Sequence, residues 1–319
     1  MKTSKSDRTR FASDILAGLR GNPKTLSSKY FYDEAGDKLF QQIMEMPEYY
    51  LTRSEWKIFQ THRQNLLEKW EGQAFDLIEL GAGDGTKTKI LLHHFLEAGI
   101  NFRYLPIDIS THALEALTQD LAREMPRLPV EGLQGDYFSV LEHLSKDKSR
   151  KKVVLFLGSN IGNFKQQEAK HFLRSLCEVI SPGDQVLIGF DLKKNPATIL
   201  AAYNDPTGIT AAFNLNLLKR INRELKGNFD LEAFLHWETY NPLTGAAQSF
   251  LVSKKDQEVY LESEDTTIHF DAWEPISVEL SQKFSLREIE FLSQYTGFRL
   301  IHNYLDSKGY FVDSLWEKV

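Results

Sequence analysis

FDLIELGAGDGTKTK, residues 75–89, sets an apolar run directly before a turn that holds three glycines within five residues, Gly81, Gly83 and Gly85. The residues that follow, 87–97, predict a helix, which Gly99 ends. A buried strand, a glycine-rich turn and a helix in this order form a cradle for a nucleotide-like ligand, because glycine turns sharply and presents no Cβ to the ligand. Alone this is a weak signal, since ordinary strand-to-helix turns also contain glycines.

Strands and helices alternate after this turn. Apolar runs at 101–108, 130–133, 152–157 and 185–190 predict four more strands, and helical patterns separate them. This alternation is typical of a parallel, doubly wound α/β sheet, whose ligands bind at the carboxyl ends of the strands. Two further strands at 299–304 and 310–315, joined by a tight turn, complete seven strands with one reversed.

The pattern changes around residue 196. A helical stretch over 196–227 precedes strand-like runs joined by turns, which predicts an added α+β lobe with an antiparallel sheet. The N-terminal segment contributes an amphipathic helix and a second helix, 54–69, with Ser54 as its N-cap. The predicted division is therefore 57–195 with 284–319 for the α/β domain, and 1–56 with 196–283 for the added lobe.

Composition narrows the class of protein. The chain has 319 residues, a net charge of −6 and one cysteine, Cys177. An acidic balance argues against a nucleic-acid partner, and no apolar run approaches the ~18 residues of a membrane span. A lone cysteine in a helical apolar pattern predicts a buried structural thiol and a reducing, cytoplasmic location. The histidine spacing predicts no metal site.

The residues around the glycine turn favour one ligand class. Asp108 ends a predicted strand 29 residues after Glu79, whereas dinucleotide sites place their ribose-binding acid roughly 20 residues on. Thr86 also stands where the dinucleotide fingerprint needs its third glycine. Both departures favour S-adenosylmethionine, which carries no phosphate. Its ribose would meet Asp108 and its adenine the turn of Asp136 and Tyr137; the alternative, that Asp108 merely starts a helix, stays open.

Six long blocks of the chain match a known family. They are KYFYDEAGDKLFQQIMEMPEYYLTRSE (29–55), IELGAGDGTKT (78–88), YLPIDIS (104–110), FLGSNIGNF (156–164), AAYNDPTGITAAFNLNLLKRINREL (201–225) and ISVELSQKF (276–284). In them the chain resembles the histidine-specific Nα-methyltransferases, which make trimethylhistidine (hercynine) on the route to ergothioneine. The resemblance implies a class I, Rossmann-like seven-stranded methyltransferase fold, S-adenosyl-L-methionine as cofactor, and an added α+β lobe for a small amino-acid substrate.

The resemblance also implies a set of site residues. For the cofactor they are Gly81, Lys87, Asp108, Asp136 and Tyr137. Tyr32 and Asn163 are implied as catalytic residues, with Tyr32 close to the reacting amine. For the amino acid the implied residues are Tyr49, Asn163, Tyr203, Glu279, Leu280 and Ser281, with Glu279 and Ser281 at the two ring nitrogens.

One departure leaves the substrate open. Ser249 stands where related enzymes usually carry a methionine near the ring pocket. The leading hypothesis is methylation of the α-amino group of L-histidine, three times in succession, by a monomer. The alternatives are the same chemistry on another aromatic or thiolated amino acid, since related fungal enzymes methylate a prenylated tryptophan, and a cofactor-binding protein without catalysis.

Overall fold

The computed structural model describes residues 5–70, 72–108 and 111–319. The helices are α1 Lys5–Arg20, α2 Glu34–Glu45, α3 Leu51–Trp70, α4 Thr88–Glu97, α5 Thr111–Glu124, α6 Tyr137–Leu144, α7 Gln166–Val179, α8 Pro196–Tyr203, α9 Ile209–Leu225 and α10 Leu286–Tyr295. Short 3₁₀ helices span Ser28–Tyr30, Asn160–Asn163, Leu231–Ala233 and Glu262–Glu264.

The strands are β1 Lys24–Thr25, β2 Phe75–Leu80, β3 Phe102–Asp108, β4 Leu133–Gln134, β5 Lys151–Phe156, β6 Gln185–Asp191, β7 Phe234–Asn241, β8 Ala246–Ser253, β9 Gln257–Leu261, β10 Thr266–Phe270, β11 Pro275–Gln282, β12 Phe298–Leu305 and β13 Phe311–Lys318. The chain divides into two compact units. The first unit is Met1–Tyr50 with Lys194–Ser281, and the second unit is Leu51–Lys193 with Gln282–Val319.

The second unit is built on the seven-stranded sheet, in the order β12-β13-β6-β5-β2-β3-β4. Strand β13 runs antiparallel to both of its neighbours, and the pairs among β6, β5, β2, β3 and β4 are parallel. The predicted α/β fold with one reversed strand is therefore confirmed. The predicted strand 130–133 is wrong in its bounds, because Val130 makes only an isolated bridge to Tyr104 and the paired strand is β4.

The centre of this sheet is covered on both faces. Every residue of β2 and of β6 is buried, which is why these strands read as continuous apolar runs rather than alternating ones. Cys177 of α7 is also buried, and its Sγ lies 3.4 Å from the carbonyl oxygen of Gly297. The thiol is a packed group of the core, as predicted.

Helix α3 corrects a prediction. It begins at Leu51, so Ser54 lies inside its first turn and is not the N-cap. The apolar face starts one turn earlier than predicted, because Leu51 is already buried and shares a face with Glu55 and Ile58. The Ser54 hydroxyl instead donates to Asp306 Oδ2 at 3.2 Å.

The first unit contains a four-stranded sheet, in the order β1-β11-β8-β7, and a two-stranded antiparallel sheet of β9 and β10. Strands β7 and β8 form an antiparallel hairpin, whereas the short β1 pairs in parallel with β11. The sequence pattern predicts neither β1, which has only two residues, nor β9. Among the described residues, none of the helices combines the length and the apolar composition that crossing a bilayer requires.

Candidate functional site

The first part of the site lies at one edge of the seven-stranded sheet. Because β5, β2, β3 and β4 are neighbours and parallel, their carboxyl ends bring Gly158, Gly81, Asp108 and Gly135 to the same edge. The Gly81 N–H donates to the carbonyl oxygen of Ile107 at 2.9 Å, and the Gly135 N–H donates to that of Asp108 at 3.2 Å. These bonds tie the glycine turn to the strand ends beside it.

Gly81 and Tyr137 lie against each other at this edge. Gly81 has a φ of +70°, and a Cβ built on it would lie 2.8 Å from the Tyr137 hydroxyl oxygen. Burial, with smaller effects from the charges of Asp108 and Asp136, raises the pKa of Tyr137 to about 12. Gly81, Asp108 and Tyr137, three of the predicted cofactor residues, are therefore grouped in the structure.

Asp136 also lies at this edge, and its side chain caps the helix that follows it. It is the N-cap of α6, accepting from the backbone N–H groups of Phe138 at 3.1 Å and Ser139 at 3.3 Å. This cap fixes the direction of α6 and therefore the position of Tyr137, its first residue.

Lys87 forms an ion pair with Glu55, a fully buried residue of α3. The Glu55 carboxylate also accepts the Gly158 N–H at 2.7 Å. Gly189 of β6 leaves the space that this carboxylate occupies, since a Cβ there would overlap Glu55 Oε1. Lys87 is thus held beside the turn after β5 by an acid that the sequence analysis did not single out.

A second buried acid lies next to this pair. Asp313 of β13 is fully buried and is the cross-strand partner of Gly189. Burial and the neighbouring charge of Glu55 hold the pKa of Asp313 well above its usual range. Asp313 therefore holds its proton more tightly than an exposed aspartic acid does, and the ion pair of Lys87 is made with Glu55.

Glu79, the acid that precedes the glycine turn, is buried as well. It accepts hydrogen bonds from the Thr88 hydroxyl at 2.8 Å and from the Tyr104 hydroxyl. Burial raises the pKa of Glu79 to about 7, although these two hydrogen bonds act in the opposite direction. The side chain therefore links β2 to β3 and to the start of α4, and so holds the glycine turn between β2 and α4 in place.

The second part of the site lies in the first unit. The Tyr203 hydroxyl is 2.8 Å from Ser281 Oγ. Glu279 precedes Ser281 by two residues on β11, and therefore points to the same face of the strand. The rings of Tyr49 and Tyr203 meet edge to face with their centroids 6.3 Å apart. Four predicted substrate residues are thus brought together in this unit.

Ser249 of β8 joins the same group. Its Oγ lies 2.6 Å from Glu238 Oε2 and 3.5 Å from Glu279 Oε2. Ser249 and Glu238 are both buried and stand directly opposite each other in the β7–β8 hairpin. Ser249 is therefore in contact with Glu279, the predicted ring-binding acid.

His236 holds the backbone of Tyr203 in place. Its Nε2 lies 3.1 Å from the Tyr203 carbonyl oxygen, and its Nδ1 lies 3.3 Å from Asn214 Nδ2. A carbonyl only accepts, so Nε2 carries the proton and Nδ1 accepts from the amide. Burial lowers the pKa of His236 below its usual value, which is consistent with this neutral tautomer.

Tyr32 lies in the same unit, with its ring against Phe40 and Phe213 at centroid distances of 5.6 and 5.8 Å. Desolvation, followed by the charges of Glu279 and Asp37, raises the pKa of the Tyr32 hydroxyl strongly. The effect of Glu279 links Tyr32 to the acid on β11. The hydroxyl is a phenol and not a phenolate at neutral pH.

Two predicted substrate residues do not belong to this group of the first unit. Leu280 lies between Glu279 and Ser281, so the alternation of the strand directs its side chain to the opposite face. Asn163 belongs to the second unit, where it is exposed at the end of the Asn160–Asn163 3₁₀ helix.

Comparison with known proteins identifies the family. A family model described as "Histidine-specific methyltransferase, SAM-dependent" matches residues 11–318. A histidine N-alpha-methyltransferase of Mycolicibacterium smegmatis is 36% identical over 303 residues, which cover 95% of this chain and 93% of that protein. The chain belongs to the SAM-dependent histidine-specific methyltransferase family. Its cofactor is S-adenosyl-L-methionine.

Other relatives in this family carry consistent names. A histidine N-alpha-methyltransferase of Mycobacterium tuberculosis is 36% identical over 306 residues, which cover 96% of this chain and 94% of that protein. Ergothioneine biosynthesis protein 1 of Neurospora crassa is 30% identical over 298 residues, covering 91% of this chain but only 33% of that longer protein. The match to this histidine-specific methyltransferase family thus extends over nearly the whole chain.

The glycine edge of this methyltransferase fits its cofactor. The Gly81 position leaves a space that a Cβ would fill, and Asp108 follows at the end of the next strand. A carboxylate at that place suits two ribose hydroxyls, and the ammonium of Lys87 suits a carboxylate.

Sequence reasoning missed three acids in these two groups: Glu55, Glu238 and Asp313. Glu55 did carry a signal, since it shares a helix face with Leu51 and Ile58 and therefore breaks an apolar stripe. Asp313 and Glu238 carried a weaker signal, because each is one acid among several apolar or aromatic residues of its strand.

Within the described residues, one surface group has a spacing that could hold a metal ion. The ligand atoms of Asp256, His269 and Asp271 lie within 4.8 Å of one another, and all three residues are exposed. His269 Nε2 is hydrogen-bonded to Asp271 Oδ1 at 3.1 Å. An exposed group of this kind forms readily without an ion, so the geometry supports no metal site.

Proposed function

We propose that this methyltransferase transfers methyl groups from S-adenosyl-L-methionine to the α-amino nitrogen of L-histidine, three times in succession, and that its product trimethylhistidine serves ergothioneine biosynthesis. Membership of the histidine-specific family supports the substrate class. The observation that carries the proposal is the contact of Tyr203 with Ser281, with Glu279 on the same face of β11. This arrangement suits the two nitrogens of an imidazole ring.

In this proposal the second unit binds the cofactor. Asp108 accepts from the ribose hydroxyls, Tyr137 and the turn at Asp136 flank the adenine, and Gly81 leaves room for the aminoacyl part. Lys87, held by Glu55, attracts the cofactor carboxylate. The cofactor supplies an electrophilic methyl group and a good leaving group, so placement of the amine accounts for most of the rate.

The first unit binds the amino acid in this proposal. Glu279 accepts one ring N–H, and Ser281 complements the other nitrogen, with its hydroxyl oriented by Tyr203. Tyr49 packs beside Tyr203 and closes one side of the pocket. Leu280 contributes through its backbone, and Asn163, which belongs to the second unit, keeps its proposed role at the amino acid head group. Buried polar groups of this kind reject a substrate that leaves them unpaired.

Tyr32 acts at the reacting nitrogen. A free α-amino group is mostly protonated at neutral pH and must lose a proton before it can attack. The Tyr32 hydroxyl keeps its own proton, because its pKa is strongly raised. It therefore orients the amine through a hydrogen bond and does not remove the proton as a phenolate; the proton leaves to solvent.

We further propose a cytoplasmic monomer whose partner is a small amino acid and neither a membrane nor a nucleic acid. The net charge of −6 and the buried single cysteine support this assignment. Ser249 is the specific observation that favours a second candidate substrate, another aromatic or thiolated amino acid.

A methylation screen tests the proposal. Purified protein is incubated with S-adenosyl-L-methionine and each free amino acid, and the products are identified by mass spectrometry. We expect mono-, di- and trimethylated histidine. If another amino acid is methylated and histidine is not, the assignment of histidine as the substrate is wrong. If the protein binds S-adenosylhomocysteine but methylates none of the amino acids, it is a cofactor-binding protein and not an enzyme.

A further inference from the structure

A row of three polar side chains crosses the four-stranded sheet of the first unit: Glu238 on β7, Ser249 on β8 and Glu279 on β11. Glu238 and Ser249 are direct cross-strand partners, and β11 is the other neighbour of β8. Ser249 Oγ lies 2.6 Å from one carboxylate and 3.5 Å from the other. Two acids therefore converge on one hydroxyl group.

The hydroxyl of Ser249 has a single proton to donate. The contact with Glu238 is shorter by almost an ångström, so the hydroxyl donates its hydrogen bond to Glu238. The oxygen of Ser249 then has only lone pairs to offer in other directions. Glu238, Ser249 and Glu279 thus form a row of hydrogen-bond acceptors.

Two of the three polar side chains in this row are buried. Ser249 is 1% exposed and Glu238 is 7% exposed. Two neighbouring carboxylates repel each other when both are charged. A ligand that brings N–H donors and a positive charge offsets this repulsion.

We propose that Glu238 is a specificity-determining residue, which together with Glu279 makes the pocket select a cationic ring with N–H donors, such as imidazolium, over neutral rings of similar size. This inference rests on the proposed function for the location of the amino-acid ring. Ser249 lies between the two carboxylates, so both acids can act on the same ring.

The experiment compares two ligands of similar shape. L-Histidine carries ring N–H donors and can be cationic, whereas 3-(2-thienyl)-L-alanine offers neither. Calorimetry measures the dissociation constant of each, with S-adenosylhomocysteine present, for the wild type, Glu238→Gln, the charge-preserving Glu238→Asp, and Glu258→Gln as a control at an exposed glutamate of β9. Mass spectrometry measures methylation of histidine in parallel.

In Glu238→Gln we expect histidine to bind at least about tenfold more weakly, as for loss of one member of a buried charge pair. Binding of thienylalanine and of S-adenosylhomocysteine should change by less than about twofold. Glu238→Asp should keep most of the preference for histidine, and Glu258→Gln should behave as the wild type. If Glu238→Gln does not fold, the wild-type preference and its retention in Glu238→Asp carry the test.

Three results would overturn the inference: unchanged histidine binding in Glu238→Gln, an equal loss for both ligands, or a wild type that binds thienylalanine as tightly as histidine. Because binding is measured without turnover, these results differ from failure of the proposed function. That failure would appear as wild-type protein that binds histidine but yields no methylated product.

Discussion

The carboxylate of Glu55 accepts the backbone N–H of Gly158 at 2.7 Å, and the same carboxylate is paired with Lys87. One residue of α3 therefore fixes both the turn after β5 and the lysine at the start of α4. Glu55 is fully buried, whereas the Lys87 side chain is 22% exposed. The pair is thus buried on the acid side and accessible on the lysine side.

Removing the lysine alone should be costly. Lys87→Met leaves the buried carboxylate of Glu55 without its cationic partner, and we expect the free energy of unfolding of the second unit to fall by about 3 kcal/mol. Lys87→Met combined with Glu55→Gln should recover much of this loss, because the double variant leaves no charge behind. Urea denaturation of both variants measures the difference.

The control is Lys89→Met. Lys89 pairs with Asp120 and Glu124, whose side chains are 29% and 42% exposed, so its loss should cost less than about 1 kcal/mol. Equal destabilisation by Lys87→Met and by the double variant would show that the ion pair is not what stabilises this region.

Glu79 should make stability depend on pH in the neutral range. Its pKa is raised from 4.5 to about 7, so the folded protein holds a proton there that the unfolded chain releases above about pH 4.5. The stability associated with this proton is complete below pH 4.5 and is lost as the pH rises through 7. Glu79→Gln should therefore unfold at higher urea than the wild type at pH 8, and at a similar concentration at pH 4.5. A constant offset at both pH values would contradict the assignment.

His236 should make stability depend on pH in the opposite direction to Glu79. Its pKa is lowered from 6.5 by burial, so below about pH 6.5 the unfolded imidazole binds protons more readily than the folded imidazole does. Stability from this residue is present above pH 6.5 and falls as the pH drops below it. His236→Gln should reduce this slope between pH 6.5 and 5.5, whereas His269→Gln, at an exposed histidine, should not. Identical slopes in all three proteins would exclude the buried neutral imidazole.

Much of the second unit could be predicted from its sequence. The runs at β2, β5 and β6 are apolar because both faces of each strand are covered, and the glycine turn after β2 has a local signature. Gly81, Asp108 and Tyr137 follow from the rule that parallel strands share a carboxyl edge. Boundaries were less accurate, as Ser54 shows, because burial of Leu51 extends α3 beyond the residue that local capping preference selects.

The polar contacts could not be predicted in the same way. Glu55 meets Gly158 across 103 positions of sequence, and Glu238 meets Glu279 only through Ser249 on the strand between them. Such contacts depend on strand order and register, which periodicity does not encode. The family resemblance supplied Glu279 and Ser281 but not Glu238, because the resemblance transfers matching motifs and Glu238 lies outside them.

Gly81→Ala should weaken cofactor binding more than Gly83→Ala. Both glycines have positive φ, so alanine strains the backbone at either place, but only at Gly81 does the new Cβ meet the Tyr137 hydroxyl, at 2.8 Å. We expect the dissociation constant of S-adenosylhomocysteine, measured by calorimetry, to rise about tenfold or more in Gly81→Ala and clearly less in Gly83→Ala. Adding Tyr137→Phe to Gly81→Ala should restore part of the affinity, because the clashing oxygen is removed. No restoration would mean that backbone strain alone explains the loss.

Tyr203→Phe should raise the KM for histidine without changing the KM for S-adenosyl-L-methionine. The variant keeps the ring that packs on Tyr49 but loses the hydroxyl 2.8 Å from Ser281 Oγ, so Ser281 is no longer oriented toward the amino acid. Loss of one buried hydrogen bond corresponds to about 1–2 kcal/mol, so we expect the KM for histidine to rise about tenfold with the KM for S-adenosyl-L-methionine unchanged. Tyr260→Phe is the matched control, since its exposed hydroxyl bonds Asp265 at 2.8 Å in the same unit. The measurement is steady-state kinetics with each substrate varied in turn. A rise in both KM values together would show that Tyr203 contributes to the general stability of the first unit and not specifically to the histidine pocket.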